Sequence, residues 1–273
     1  VPEFTSIFNN ETVHEFTEKV SPPWVLKPRS EASASGIKKL NSAQELWTAI
    51  ELLGDERHLF LLESFKPGDV YHVDSLVYNK ELVFTCCSKY LAPPMKVSHE
   101  GGVFRTRTLN RYSQEFIDLN EINTRLLKNF GLVNGATHSE FIRGEDGTYY
   151  FLETASRVGG ANIPDLVEAA TGINIWKEWA KLENALLKNL PYEIGKPTGF
   201  FAGLIISLAN EKHPDTSFFE REEVEKFLPM DHHIGIVYKS DNEQKVLESL
   251  DQAAEKITST ILQILPPKDK PSS

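Results

Sequence analysis

In the stretch HSEFIRGEDGTYYFLETASR (His138 to Arg157), two strand-like runs flank Asp146-Gly147, and each carries one acid among apolar neighbours. An Asp-Gly pair between alternating residues is a strong hairpin signal. Read as a two-residue turn, it pairs Glu145 with Thr148, Ile142 with Phe151, Glu140 with Glu153 and His138 with Ala155. Opposed residues have Cβ atoms about 4.5–5.5 Å apart, and like charges there destabilise a sheet. Two kinds of chemistry relieve such a pair. The acids share a proton, with one pKa raised, or they hold a divalent cation, for which hard oxygen ligands suit Mg²⁺. Arg157, past the strand end, is placed to reach a bound anion or to pair with one of the acids. The competing reading is a solvent-facing edge with both acids hydrated, and a longer loop from Gly144 to Gly147 would shift the register.

A second candidate is VLKPRSEASASGI, which sets Lys27 at a strand end before a loop containing Ser33, Ser35 and Gly36. Small residues let backbone N–H groups cradle an anion, and a lysine supplies a point charge for phosphate. The spacing is not that of a P-loop, and an exposed loop beside an incidental lysine is the plain alternative. HEGGVFRTR offers His99, Arg105 and Arg107 beside two glycines, as substrate contacts or as solvated surface. His72 and Asp74 share a strand face and read chiefly as structural polar partners.

The elements that must position these residues follow from periodicity. A short helix over NNETVHEFTEKV stops at Pro22-Pro23, and WVLKP is a strand. A helix spans Ser42 to Leu53 with Gly54 as its stop. HLFLLESF is a strand, VYHVDSLVYNKELVFTCCSKY a hairpin turning at Asn79-Lys80, and LAPPMKVSHEGGVFRTRTL a long loop. Helices are predicted over Ser113 to Phe130, over Ile163 to Asn189 with a break near Gly172, and from Glu243 to Leu265. Trp176, Trp179 and Leu182 are read as core, FFAGLIISLA and HHIGIVY as strands, and 266–273 as a disordered tail. Strands and helices mix without regular βαβ alternation, which points to an α+β fold.

The 273 residues suffice for one large or two smaller domains, with an ordinary globular composition. A net charge of −10 argues against a nucleic-acid partner. No apolar run is long enough to cross a bilayer, so no membrane partner is expected. The adjacent Cys86 and Cys87 point to opposite faces of a strand and suit reduced thiols in a cytoplasmic protein.

Taken in order, these motifs resemble the ATP-grasp superfamily over roughly residues 1–189. The resemblance implies a fold of two α+β subdomains (1–64 with a phosphate-covering loop, 65–195 with a metal hairpin), followed by a C-terminal α/β extension at 196–265. It implies that Lys27, Ser33, Ser35 and Gly36 serve the phosphates, and that Glu63, Ser64, Phe65 and Lys66 in LLESFKPG hold adenine. Asp69 stands beside Val70, the position where the family keeps a ribose-binding acid. Glu140 and Glu153 match the two Mg²⁺ carboxylates, with Mn²⁺ as a substitute, and Arg157 matches an arginine that steadies phosphate or substrate carboxylate. Arg105 and Arg107 are further candidates for the reacting anions. Ala155 replaces an asparagine usual in the family. The form ETASRVGG is similar to the Glu-x-Ala-x-Arg variant of L-amino-acid (dipeptide) ligases. Such enzymes use ATP to activate a carboxylate as an acylphosphate and pass it to an amine. A biotin-carboxylase-like enzyme and a non-catalytic ATP-binding scaffold are the alternatives. The family also places a domain ahead of the grasp, so the chain is expected to be a C-terminal part of a larger ligase, with homo-oligomers possible in principle.

Overall fold

The computed structural model describes residues 1–30, 36–95, 97 and 101–264. Ser33, Ser35, His99 and the tail at 266–273 lie outside the described residues. Two antiparallel sheets organise the chain. The smaller has four strands in the order β1-β4-β2-β3, with β1 Phe4–Ser6, β2 Trp24–Pro28, β3 Lys38–Leu40 and β4 Phe60–Ser64. Helices α1 (Asn10–Lys19) and α2 (Ala43–Leu53) cover one of its faces. Alternation along the strands sends Trp24, Leu26 and Leu62 into that covered core with Val13, Phe16, Leu46 and Ile50. The same alternation turns Lys27, Leu61 and Glu63 to the opposite, uncovered face.

The larger sheet has eight strands in the order β11-β12-β10-β7-β6-β5-β8-β9. Its strands are β5 Gly68–Tyr78, β6 Glu81–Tyr90, β7 Phe104–Thr108, β8 Gly135–Gly144, β9 Tyr149–Ala155, β10 Phe201–Leu208, β11 Val224–Phe227 and β12 His233–Ser240. Helices α3 (Gln114–Asn129) and α6 (Glu243–Thr260) pack on one face; α4 (Ile163–Thr171) and α5 (Ile175–Leu187) cover part of the other. Each long helix has the cap its sequence announces. Ser42, Ser113 and Asn174 each accept a bond from a first-turn N–H, and Gly54 ends α2 at positive φ.

Several expectations need correction. The long loop after Tyr90 contains β7, which sits inside the large sheet between β6 and β10. Its FRTRT sequence alternates two polar types, so no apolar period betrays it. The strands after residue 196 join the large sheet through β10, which pairs with β7. Trp176 is 52% exposed and stacks on Trp179, whereas Leu182 is fully buried. No helix among the described residues is long and apolar enough to cross a membrane.

Candidate active site

The hairpin β8–β9 reaches the expected pairing by an unexpected route. Its turn is one residue longer than Asp146-Gly147 alone suggests: Gly147 N–H donates to Gly144 O and Gly144 N–H to Thr148 O, both at 2.9 Å. Gly147 takes φ +79°, and Asp146 Oδ1 accepts from Thr148 N–H, which fixes a three-residue loop. Arg143 therefore faces Tyr149, and Phe141, not Ile142, faces Phe151. Uncorrected, that register would set Glu140 against Leu152. A β-bulge between Glu140 and Phe141 leaves Leu152 as the extra residue and restores the Glu140–Glu153 and His138–Ala155 pairs.

Leu152 also has a second role. Its carbonyl accepts from Lys27 Nζ at 3.3 Å, so the lysine of β2 spans from the small sheet to the bulge. The same Nζ lies 3.0 Å from Glu63 Oε1. Lys27, Arg29, Leu61, Glu63, Phe130, Phe151, Glu153, Ala155 and Arg157 all line one cleft of about 400 Å³ between the two sheets. Burial raises the pKa of Glu63, against the charge and hydrogen bond of Lys27. The Lys27–Glu63 pair is thus largely withdrawn from water and sits where a polar ligand would compete for both partners.

Behind the carboxylates runs a buried polar chain. Asp74 Oδ2 meets His72 Nδ1 at 2.8 Å and Asp74 Oδ1 meets His138 Nδ1 at 2.9 Å. His72 Nε2 lies 2.8 Å from Thr106 Oγ1, and His138 Nε2 lies 3.4 Å from Glu140 Oε1. Every ring nitrogen of the two histidines therefore has a partner within the protein. This makes the His72–Asp74–His138 cluster, whose ring-nitrogen and carboxylate atoms lie within 4.8 Å of one another, a hydrogen-bonded network. Tyr90 OH donates to Glu140 Oε1 at 2.6 Å from the end of β6.

The electrostatics follow from this wiring. Burial works to raise Asp74, but both histidines outweigh it and hold the carboxyl well below its usual range. Burial opposes the charged form of His138, yet Asp74 and then Glu140 lift it to about 10. Burial likewise works to raise Glu140, and His138 with Tyr90 overcomes it, so the pKa falls. Glu153 moves the other way. Desolvation first, then the charge of Glu140, raises it, and no hydrogen bond or ion pair among the described residues engages its carboxylate. One stabilised carboxylate facing one strained one, both oxygen donors, fits a hard divalent cation. Glu140 and Glu153 are the residues that could hold one.

The remaining candidates fall in three places. Arg157 lines the cleft and donates to Val158 O. Ser64, Phe65 and Lys66 lie where the two sheets join: Ser64 Oγ donates to Glu3, Lys66 Nζ pairs with Glu3 at 3.0 Å, and Phe65 lies under Lys39. Gly36, at φ +72°, packs near Pro28 beside the cleft wall. Arg105, Arg107 and Asp69 are not brought to the cleft. Strand alternation turns them to the α3/α6 face, where Arg105 pairs with Asp251, Arg107 with Glu243, and Asp69 with Lys89. Residue Val70, on the site-facing side of β5, is buried. Sequence reading missed Tyr90, whose SKYLAPP context carries no signal; only the registers of β6 and β8 on β5 bring it beside Glu140.

Comparison with known proteins identifies the family and the fold. The ATP-grasp domain family matches residues 20–165, more than half of the chain. An L-arginine-specific L-amino acid ligase of Bacillus subtilis is 24% identical over 184 residues, covering 65% of this chain and 44% of its own length. The chain thus spans less than half of that relative. An L-amino acid ligase from Bacillus licheniformis superposes with TM-score 0.69 at 19% identity, over 97% of this chain and 68% of that one. The biotin carboxylase domain of Hydrogenobacter thermophilus 2-oxoglutarate carboxylase, crystallised with MgADP and bicarbonate, gives TM-score 0.67 at 14% identity over 94% and 62%. The family match over residues 20–165, on a fold of two antiparallel sheets that meet at one cleft, places this chain in the ATP-grasp domain family.

Proposed function

We propose that the chain is the nucleotide- and metal-binding part of an ATP-dependent carboxylate–amine ligase of the amino-acid ligase type. The observation that carries the reading is the facing Glu140–Glu153 pair, whose Glu153 lines one cleft together with Lys27 and Glu63. The match to an L-amino acid ligase supports the substrate class. A carboxylate substrate would attack the γ-phosphorus of ATP, its oxygen forming the new bond as ADP leaves. The amine would then add to the acylphosphate carbon, expelling phosphate and losing its proton.

The chain's residues have separable tasks in this scheme. A divalent cation, when bound, supplies charge neutralisation at the phosphates. Lys27 exchanges its Glu63 and Leu152 contacts for a phosphate oxygen. Glu63, freed of that lysine, accepts from the exocyclic amine of adenine. Arg157 holds the anionic carboxylate or acylphosphate, and the cleft between the sheets keeps water from the intermediate. Phe130 and Phe151, edge to face at 6.0 Å, provide an apolar wall.

The test is calorimetric titration of ATP with Mg²⁺ into the chain, paired with phosphate release from the polypeptide that carries it over a matrix of amino-acid pairs. Lys27→Met is expected to weaken nucleotide binding by about tenfold or more, the scale of one lost charge-assisted contact of ~1.5–3 kcal/mol. Wild-type affinity in that variant would refute the assignment of the cleft. Tight ATP binding without phosphate release for any pair would favour a non-catalytic binding module, a reading to which Ala155 lends some support.

A further inference from the structure

Glu140 is held by two donors that converge on the same oxygen. Tyr90 OH lies 2.6 Å from Oε1 and His138 Nε2 lies 3.4 Å from that same atom. Oε2 is left without a partner among the described residues, on a side chain that stands opposite Glu153. Both donors are themselves fixed. The Tyr90 ring is buried between His72 at 4.8 Å and Phe104 at 5.6 Å. His138 is gripped by Asp74, Asp74 by His72, and His72 by Thr106, all of them buried. Gly159 seals the far side of this chain: a Cβ there would lie 2.8 Å from Asp74 Oδ1 and 3.0 Å from His138 Nδ1.

We propose that Tyr90 and His138 are positioning residues for the divalent-cation site, clamping Oε1 of Glu140 so that the carboxylate offers the cation Oε2 alone. This rests on the ligase reading above, in which Glu140 and Glu153 hold that cation. A freely rotating glutamate would pay side-chain entropy on binding and could chelate through both oxygens. The clamped one is pre-oriented and single-toothed. The three strands β6, β5 and β8 are needed to build it, because Tyr90 reaches Glu140 diagonally across β5.

Mn²⁺ is the probe. Its free signal in electron paramagnetic resonance, titrated against the chain at saturating ADP with the same ADP alone as the blank, gives the affinity of the site. Tyr90→Phe deletes one hydroxyl and keeps the ring, and is expected to weaken Mn²⁺ binding about tenfold or more, within the ~10–100-fold cost typical when a ligand's hydrogen-bond partner is lost. His138→Gln keeps a donor and is expected to weaken it less than His138→Leu. Melting temperatures are measured in parallel. Unchanged Mn²⁺ affinity in Tyr90→Phe overturns the inference, as does an order of affinities that follows the melting temperatures rather than the donors. A wild-type chain that binds no Mn²⁺ in the presence of ADP overturns instead the ligase reading on which the inference stands.

Discussion

Replacing Glu153 by Gln removes one of two opposed charges from the metal-free chain while keeping the side chain's shape. Unit charges about 5 Å apart repel by about 3 kcal/mol at an effective dielectric near 20. Glu153 is exposed on its cleft side, so screening brings the net effect down towards the ~0.2–1 kcal/mol of opposed cross-strand charges. Glu153→Gln is therefore expected to stabilise the chain in EDTA at neutral pH by about 0.5 kcal/mol, or about 1–2 °C in melting temperature. The sign of the pH dependence follows from the raised pKa. The protonated form is favoured in the folded chain, so its contribution is complete below the ordinary glutamate pKa of 4.5 and is lost as pH rises through the raised value. The variant should thus match the wild type in acid and overtake it only towards neutrality. With Mg²⁺ and ATP the order should invert, because only the wild type gains the linkage energy of a bound cation, about 2.7 kcal/mol at a hundredfold excess over Kd. Urea melts at pH 4 and pH 7, in EDTA and in Mg²⁺ with ATP, measure all four corners. A variant destabilised at pH 7 in EDTA, or one that keeps the full gain with Mg²⁺ and ATP, refutes the electrostatic reasoning.

Three other outcomes are expected. Gly159→Ala forces a methyl against Asp74 and His138, costing about 1–3 kcal/mol in a urea melt and weakening cation binding with it. Arg105→Ala breaks only a partly exposed pair with Asp251; it should shift stability by less than about 1 kcal/mol and leave ATP affinity at the wild-type level in calorimetry. Burial pushes the Cys86 thiol up to about 12 and Cys87 well above its ordinary value, so neither should react with a disulfide reagent at pH 8 until denaturant unfolds the chain.

Local chemistry was legible from the residues because its causes are local. Ser42 and Ser113 cap the helices they precede, Asn79-Lys80 turns its hairpin at positive φ, and Lys27 ends its strand at the cleft. The Glu140–Glu153 pair was also legible, though partly by compensation. The loop is one residue longer than the Asp-Gly reading, and the bulge at Leu152 adds one residue back. Turn length and bulge position are set by packing on both strands, and neither leaves a mark that a single run of residues reveals.

What the amino-acid order determined by itself was which residue types stand at which alternations: acids on β8 and β9, a lysine on β2, alternating faces on β5. Tertiary structure decided which of those faces meet. FRTRT carries the same arginines whether it forms a loop or a central strand; only its place between β6 and β10 turns Arg105 and Arg107 towards α6 and away from the cleft. Tyr90 and His138 become partners of Glu140 only when three strands are in register, since hydrogen bonds act over about 3 Å while their positions span 50 residues of chain. Strand alternation is a property of neighbours in sequence, and the oxygen that two donors share is a property of neighbours in space.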